Sequence, residues 1–162
     1  HLLEQGRTLP GFIGDIGYAQ SNRERYEGFC QALTDAGKKV DSSLCLTTPL
    51  GIDTYREEID TFLSSLSRMP DAFVCASDYV ACILMQLLEK RGLRVPEDVA
   101  VSGFDNNTED LLAEHLTTVQ VFNEELGARL ALQILYRIKY PNTPHEITYL
   151  GTNVLYRDST GD

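Results

Sequence analysis

The stretch Val99-Ala100-Val101-Ser102-Gly103-Phe104-Asp105-Asn106 constrains this chain more than any other. Its small and β-branched residues read as a strand buried on both faces, after which Gly103 lets the chain turn. Phe104 and Asp105 then stand at the strand's carboxyl end, the rim where open parallel α/β sheets bind ligands. Two other segments also end in polar residues, Phe12-Ile13-Gly14-Asp15 and Phe73-Val74-Cys75-Ala76-Ser77-Asp78. If all three lie in one sheet, their tips converge on a single crevice.

The remaining chain alternates strand and helix patterns. His1 to Gly6 reads as the last turn of a helix closed by Gly6, and Gly11 to Ile16 as the first strand. Ser21 to Glu24 is a capping-box pattern with Ser21 as N-cap, opening a helix whose apolar face runs Tyr26, Phe29, Cys30, Leu33, Ala36. Val40 to Thr47 is predicted as a strand, and Thr54 to Glu57 as a second capping box. Asp78 is expected to cap a helix reaching Arg91, closed by Gly92. Thr108 to His115 predicts a short helix and Thr117 to Val121 a strand. Asn123 is expected to cap a helix to about Lys139, and Ile147 to Tyr156 is predicted as the last strand, followed by a loose tail. The expected class is α/β, a doubly wound, mostly parallel sheet with helices on both faces.

The 162 residues suffice for one compact domain. A formal net charge of −10, spread along the chain, repels phosphate backbones and argues against direct nucleic-acid binding. No apolar run reaches bilayer-spanning length, so no membrane association is expected. The four cysteines form no C-x-x-C pair and read as free thiols in a reducing cytosol. His1, His115 and His145 lack metal-ligand spacing and read as surface residues; no metal and no cofactor is expected. There is no phosphate-cradling Gly-rich motif and no nucleophile motif, so an enzyme is not expected.

The sequence resembles the lactose-repressor/galactose-repressor (LacI/GalR) family. The resemblance rests on His1-Leu2-Leu3-Glu4-Gln5-Gly6, Phe12-Ile13-Gly14, Asn22 to Phe29 and Cys75-Ala76-Ser77-Asp78. It continues through Gly92 to Asn106 and Leu116-Thr117-Thr118-Val119, and covers essentially the whole chain. It implies the C-terminal half of a two-lobed core of periplasmic-binding-protein type. Residues 1–120 and 147–162 would form one lobe, and 121–146 would cross to an N-terminal lobe that this chain does not contain, nor does it contain the DNA-binding head. The implied function is sensing a small polar metabolite, a sugar or sugar derivative, in a cytoplasmic homodimeric regulator that reaches operator DNA through that head. An exported solute-binding protein of the same architecture is the alternative.

The resemblance also assigns residues. Asp105 would accept hydrogen bonds from effector hydroxyls, an ionised carboxylate being a strong acceptor, although an Asp at a strand tip can equally cap the following turn. Arg25 would offer its planar fork of donors to vicinal hydroxyls or a carboxylate. Ser21 and Gln20 lie in the loop expected to approach the ligand. Ser77 stands where relatives carry Asn, leaving room for a different effector. No Trp or Phe occupies Pro49 to Asp53, where many relatives stack an aromatic ring, and Tyr55 is the nearest candidate. On the helix from Val80 to Leu88 a second apolar stripe, Ala81, Leu84, Met85 and Leu88, is read as the homodimer interface, against the plainer reading of a helix sandwiched in its own lobe.

Overall fold

The computed structural model describes residues 1–51, 53–107 and 111–161. Four parallel strands, β1 (Pro10–Ile13), β2 (Cys45–Leu46), β3 (Ala72–Cys75) and β4 (Ala100–Ser102), form a sheet in the order β2-β1-β3-β4. The register pairs Phe12 with Val74, and Val74 with Ser102, so β1, β3 and β4 do end side by side. Between them run α1 (Gln20–Asp35), α2 (Tyr55–Ser65) and α3 (Asp78–Lys90).

Both faces of the sheet are covered, and the period-two alternation of the strands divides the core. Ile13, Phe73 and Cys75 pack with Ile59, Leu63, Val80, Leu84 and Leu88 from α2 and α3. Phe12 and Ala76, with Val74 half-buried beside them, meet Phe29 and Leu33 of α1 and Leu3 of the first turn. That first turn closes as the sequence predicts. The Arg7 N–H donates to Leu2 O and the Gly6 N–H to Leu3 O, both at 3.0 Å, with Gly6 at φ +88°.

A second sheet joins β5 (Thr118–Gln120) antiparallel to β6 (Asn153–Leu155). Single parallel bridges, Ser102 to Thr117 and Asp105 to Gln120, attach it to β4 and to the loop beyond. Between β5 and β6 lies α4 (Asn123–Lys139), on which no residue is buried. Leu130, Leu135 and Ile138 of its apolar arc stand open to solvent.

Several expected elements are corrected. Val40 to Thr47 is a strand only over Cys45–Leu46, because the Asp41 carboxylate caps a 3-10 turn at Ser42–Leu44 by accepting from the Ser43 N–H. The last strand is confined to Asn153–Leu155. All of the N-cap expectations fail, by one or two residues or by mechanism. Ala19 rather than Ser21 precedes α1, Phe122 rather than Asn123 precedes α4, and neither bonds through a side chain. Thr54 does precede α2, but its hydroxyl donates to Glu58 Oε1 at 2.6 Å instead of forming a box with Glu57. Ser77 takes the cap of α3 from Asp78 by accepting from the Val80 N–H. Of the expected helix from Thr108 to His115, residues 108–110 lie outside the described part and Leu111–His115 is a 3-10 helix. The tail is not loose: Ser159 and Thr160 are buried, with Ser159 Oγ donating to Val101 O at 2.7 Å.

Candidate functional site

The tips of β1, β3 and β4 are knitted together by hydrogen bonds at the sheet's carboxyl edge. The Asp78 N–H donates to Phe104 O at 2.8 Å, tying the first turn of α3 to the loop after β4. From α1, Arg25 Nη1 donates to Ala76 O and Nη2 to Asp105 Oδ1 at 3.4 Å. The guanidinium carbon lies 3.6 Å from the Phe104 ring centroid, so the aromatic face roofs the cation. One side chain thereby joins the end of β3 to the Gly-Phe-Asp loop after β4.

The electrostatics follow from partial enclosure. Burial pulls the Arg25 guanidinium below its ordinary value, and the carboxylates of Asp105 and Asp78 oppose that change. Burial raises the Asp105 carboxyl above the usual carboxylate value, Arg25 pulls it back, and Asp78 adds to the rise. The result is a half-exposed carboxylate whose own donor is already in place and whose outer face is open to a ligand's hydroxyl groups.

Asp78 is the residue that sequence reasoning underrated. It is buried, with Oδ1 accepting from the Thr118 hydroxyl at 2.6 Å and Oδ2 from the Asn107 N–H at 2.7 Å. Gly103 is needed beside it: a Cβ there would lie 2.2 Å from Asp78 Oδ1. Only its place next to the cap hinted at this, since its partners lie 29 and 40 residues away.

The other predicted residues divide. Ser21, exposed in the first turn of α1, lies one turn before Arg25 on the same helix face. Ser77 borders the cluster while capping α3. Gln20 is not brought in, because its amide donates to Glu24 Oε1 at 3.1 Å along its own helix. Tyr55 packs against the α2/α3 core and meets the exposed Tyr79 edge-on, with centroids 5.6 Å apart. Phe104 packs against the Arg25 guanidinium. The dimer stripe needs correction. Ala81, Leu84 and Leu88 have no exposed surface, because they belong to the core that α3 shares with the sheet and with α2, and Met85 alone of the four is partly open.

A cavity of about 410 Å³ adjoins the cluster, with Arg25 and Phe104 in its wall. Most of its surface is apolar, from residues such as Leu2, Leu3, Leu33, Val74 and Val119.

Comparison with known proteins follows the same outline. The profile of the periplasmic binding protein-like domain matches residues 1–160. This chain belongs to that family. Its relatives place the domain among LacI-type regulators. The HTH-type transcriptional regulator DegA of Bacillus subtilis (strain 168) is 35% identical over 130 residues, 79% of this chain and 38% of DegA. The NTD biosynthesis operon regulator NtdR of the same strain is 31% identical over 163 residues, 99% of this chain and 49% of NtdR. Among solved structures, the transcriptional regulator CelR–cellobiose complex superposes with a TM-score of 0.87 at 30% identity, covering 98% of this chain and 48% of that one. A LacI-family transcriptional regulator from Sanguibacter keddieii superposes at 0.85 with 28% identity, covering all of this chain and 61% of that one. The periplasmic binding protein-like domain described here thus spans less than half the length of these curated relatives. They are regulators of transcription, which favours a ligand-sensing module over an exported solute carrier and over an enzyme. Among the described residues, no helix is long and apolar enough to cross a membrane.

Proposed function

We propose that this domain is the C-terminal lobe of the effector-binding core of a cytoplasmic LacI/GalR-type regulator, and that it binds a small polyhydroxylated metabolite at the edge of β1, β3 and β4. The observation that carries the reading is the Arg25–Asp105 pair, held at the strand tips with one carboxylate face open. Asp105 accepts from ligand hydroxyls, Arg25 offsets part of the burial cost on that carboxylate and presents its remaining donors, and Ser21 and Ser77 flank the pair. Gln20, spent on Glu24, contributes at most from the rim.

Residues 1–120 and 147–162 belong to this lobe, and 121–146 cross to a first lobe that completes the cleft. The solvent-facing apolar arc of α4 supports that division, since such a surface is stable in water only when covered. Binding between lobes favours one lobe arrangement by its differential affinity, and a homodimer passes the change to DNA-binding heads. Met85, with Leu93, Val95 and Leu112 beside it, is the part of the earlier stripe still placed to meet a second copy.

The test is a thermal-shift and calorimetric screen of pentoses, hexoses and disaccharides against the full-length regulator and its Asp105→Ala variant. At least one carbohydrate is expected to bind the native protein and lose a hundredfold or more in the variant. Equal binding to both would remove Asp105 from the site.

A further inference from the structure

The direction of the Asp105 carboxylate is set in part from the opposite end of the chain. Asp105 has φ +114° and Asn106 φ +54°. Side chains in this region crowd their own backbone, and two in succession persist only where neighbours overdetermine them. The Asp105 N–H donates to Val119 O at 3.0 Å, the Asn106 N–H to Thr118 Oγ1 at 3.3 Å, and the Asn107 N–H to Asp78 Oδ2 at 2.7 Å. The backbone of the loop is therefore laid along β5 and against α3.

The Asn106 side chain has its own holder. Arg157, two residues beyond β6, donates from Nη2 to Asn106 Oδ1 at 2.8 Å and from Nη1 to Leu116 O at 3.0 Å. Its N–H donates to Thr117 Oγ1 at 2.8 Å. A guanidinium is a planar fork, so bonding Asn106 and Leu116 together sets the spacing between the loop and the entry to β5. Docking the tail does not require this side chain. Ser159 Oγ accepts from the Thr117 N–H at 2.8 Å and donates to Val101 O, and Thr160 Oγ1 meets Thr117 Oγ1 at 2.6 Å. The reach of Arg157 to Asn106 comes in addition to that anchorage.

We propose that Arg157 is a positioning residue for the Asp105 site: it locks Asn106, and through it the backbone of Asp105, onto the β5–β6 ribbon. This rests on the effector reading of Asp105. The ribbon carries both chain segments that lead to and from α4. A ligand drawing on Asp105 then pulls on the ribbon through Arg157, and movement of the ribbon re-aims the carboxylate.

Residue-resolved amide hydrogen exchange on the intact protein tests this without any effector. Arg157→Met and Asn106→Ala are each expected to speed exchange at Asp105, Asn106 and Asn107 at least tenfold while leaving the β3 amides unchanged. The double variant is expected to match Arg157→Met alone, because that variant has already lost the bond to Asn106. Arg157→Lys, which keeps one charged donor, is expected to restore part of the protection. Loop and core amides accelerating together would show a contact that only stabilises the fold, and would overturn the proposal. Unchanged loop amides, or effects that add in the double variant, would also overturn it. Should Arg157→Met fail to fold, Asn106→Ala decides alone, since it leaves the Arg157 bonds to Leu116 and Thr117 in place. A regulator whose sugar binding ignores Asp105→Ala would sink the effector reading separately, with the exchange result unaffected.

Discussion

Arg25 and Asp105 meet at 3.4 Å although 80 residues of chain separate them. One comes from the second turn of a helix and the other from the loop after a strand, and Phe104 closes over their contact. Because burial raises the Asp105 carboxyl above its ordinary 3.8, only in the acid window between that value and the shifted one does the native state hold a proton that the unfolded chain has released. The contribution of Asp105 to stability is then greatest below pH 3.8 and declines as pH rises through the shifted value. Asp105→Asn is expected to remove this decline, seen as a flatter pH dependence of the unfolding midpoint over the weakly acid range. A variant with an unchanged pH profile would mean that the carboxyl titrates as an exposed one.

Ser77 and Asp78 separate by size of effect. Ser77→Ala loses one capping bond and is expected to cost roughly 0.5–1 kcal/mol in urea unfolding. Asp78→Ala strands the buried Thr118 hydroxyl and takes the acceptor from the half-buried Asn107 N–H, and a cost of about 2–3 kcal/mol is expected. The reverse order would restore Asp78 to the capping role.

Gly103→Ala is expected to destabilise by roughly 1–3 kcal/mol through overpacking, since the new Cβ would sit 2.2 Å from Asp78 Oδ1 and 2.9 Å from Leu116 Cδ2. Carbohydrate affinity should fall with it, as the displaced Asp78 releases Asn107. Calorimetry and urea unfolding on the same variant read both effects.

The two sides of α3 give opposite outcomes. Leu84 has no exposed surface, so Leu84→Ala is expected to cost about 2–5 kcal/mol. Met85→Ala should cost less than about 1 kcal/mol and shift the sedimentation equilibrium toward monomer. A dimer indifferent to Met85 would move the interface elsewhere.

On α4, replacing Leu130, Leu135 and Ile138 with Gln is expected to change the stability of this lobe by no more than about 0.5 kcal/mol each, because none is buried in it. Light scattering on the lobe alone should record less self-association. A large loss of stability would show that α4 folds onto its own lobe.

Local pattern determined a great deal of this protein. The alternation in Phe12-Ile13 and Phe73-Val74-Cys75 sorts side chains to the two faces of the sheet, and helical spacing puts Phe29 with Leu33 and Ile59 with Leu63 on buried faces. Those periodicities belong to the backbone itself, so a sequence displays them before it folds. Family resemblance added Arg25 and Asp105, and the structure joins them. Tertiary structure alone decided which of Ser77 and Asp78 caps α3, because Thr118 and Asn107 claim the Asp78 carboxylate from outside its own helix. It also decided that Ala81, Leu84 and Leu88 face inward, since an apolar stripe looks the same whether a sheet, a helix or a second chain covers it. The Arg157–Asn106 bond spans 51 residues and has no local signature. Hydrogen bonds between distant segments depend on where the chain returns, and that is settled by packing, not by spacing.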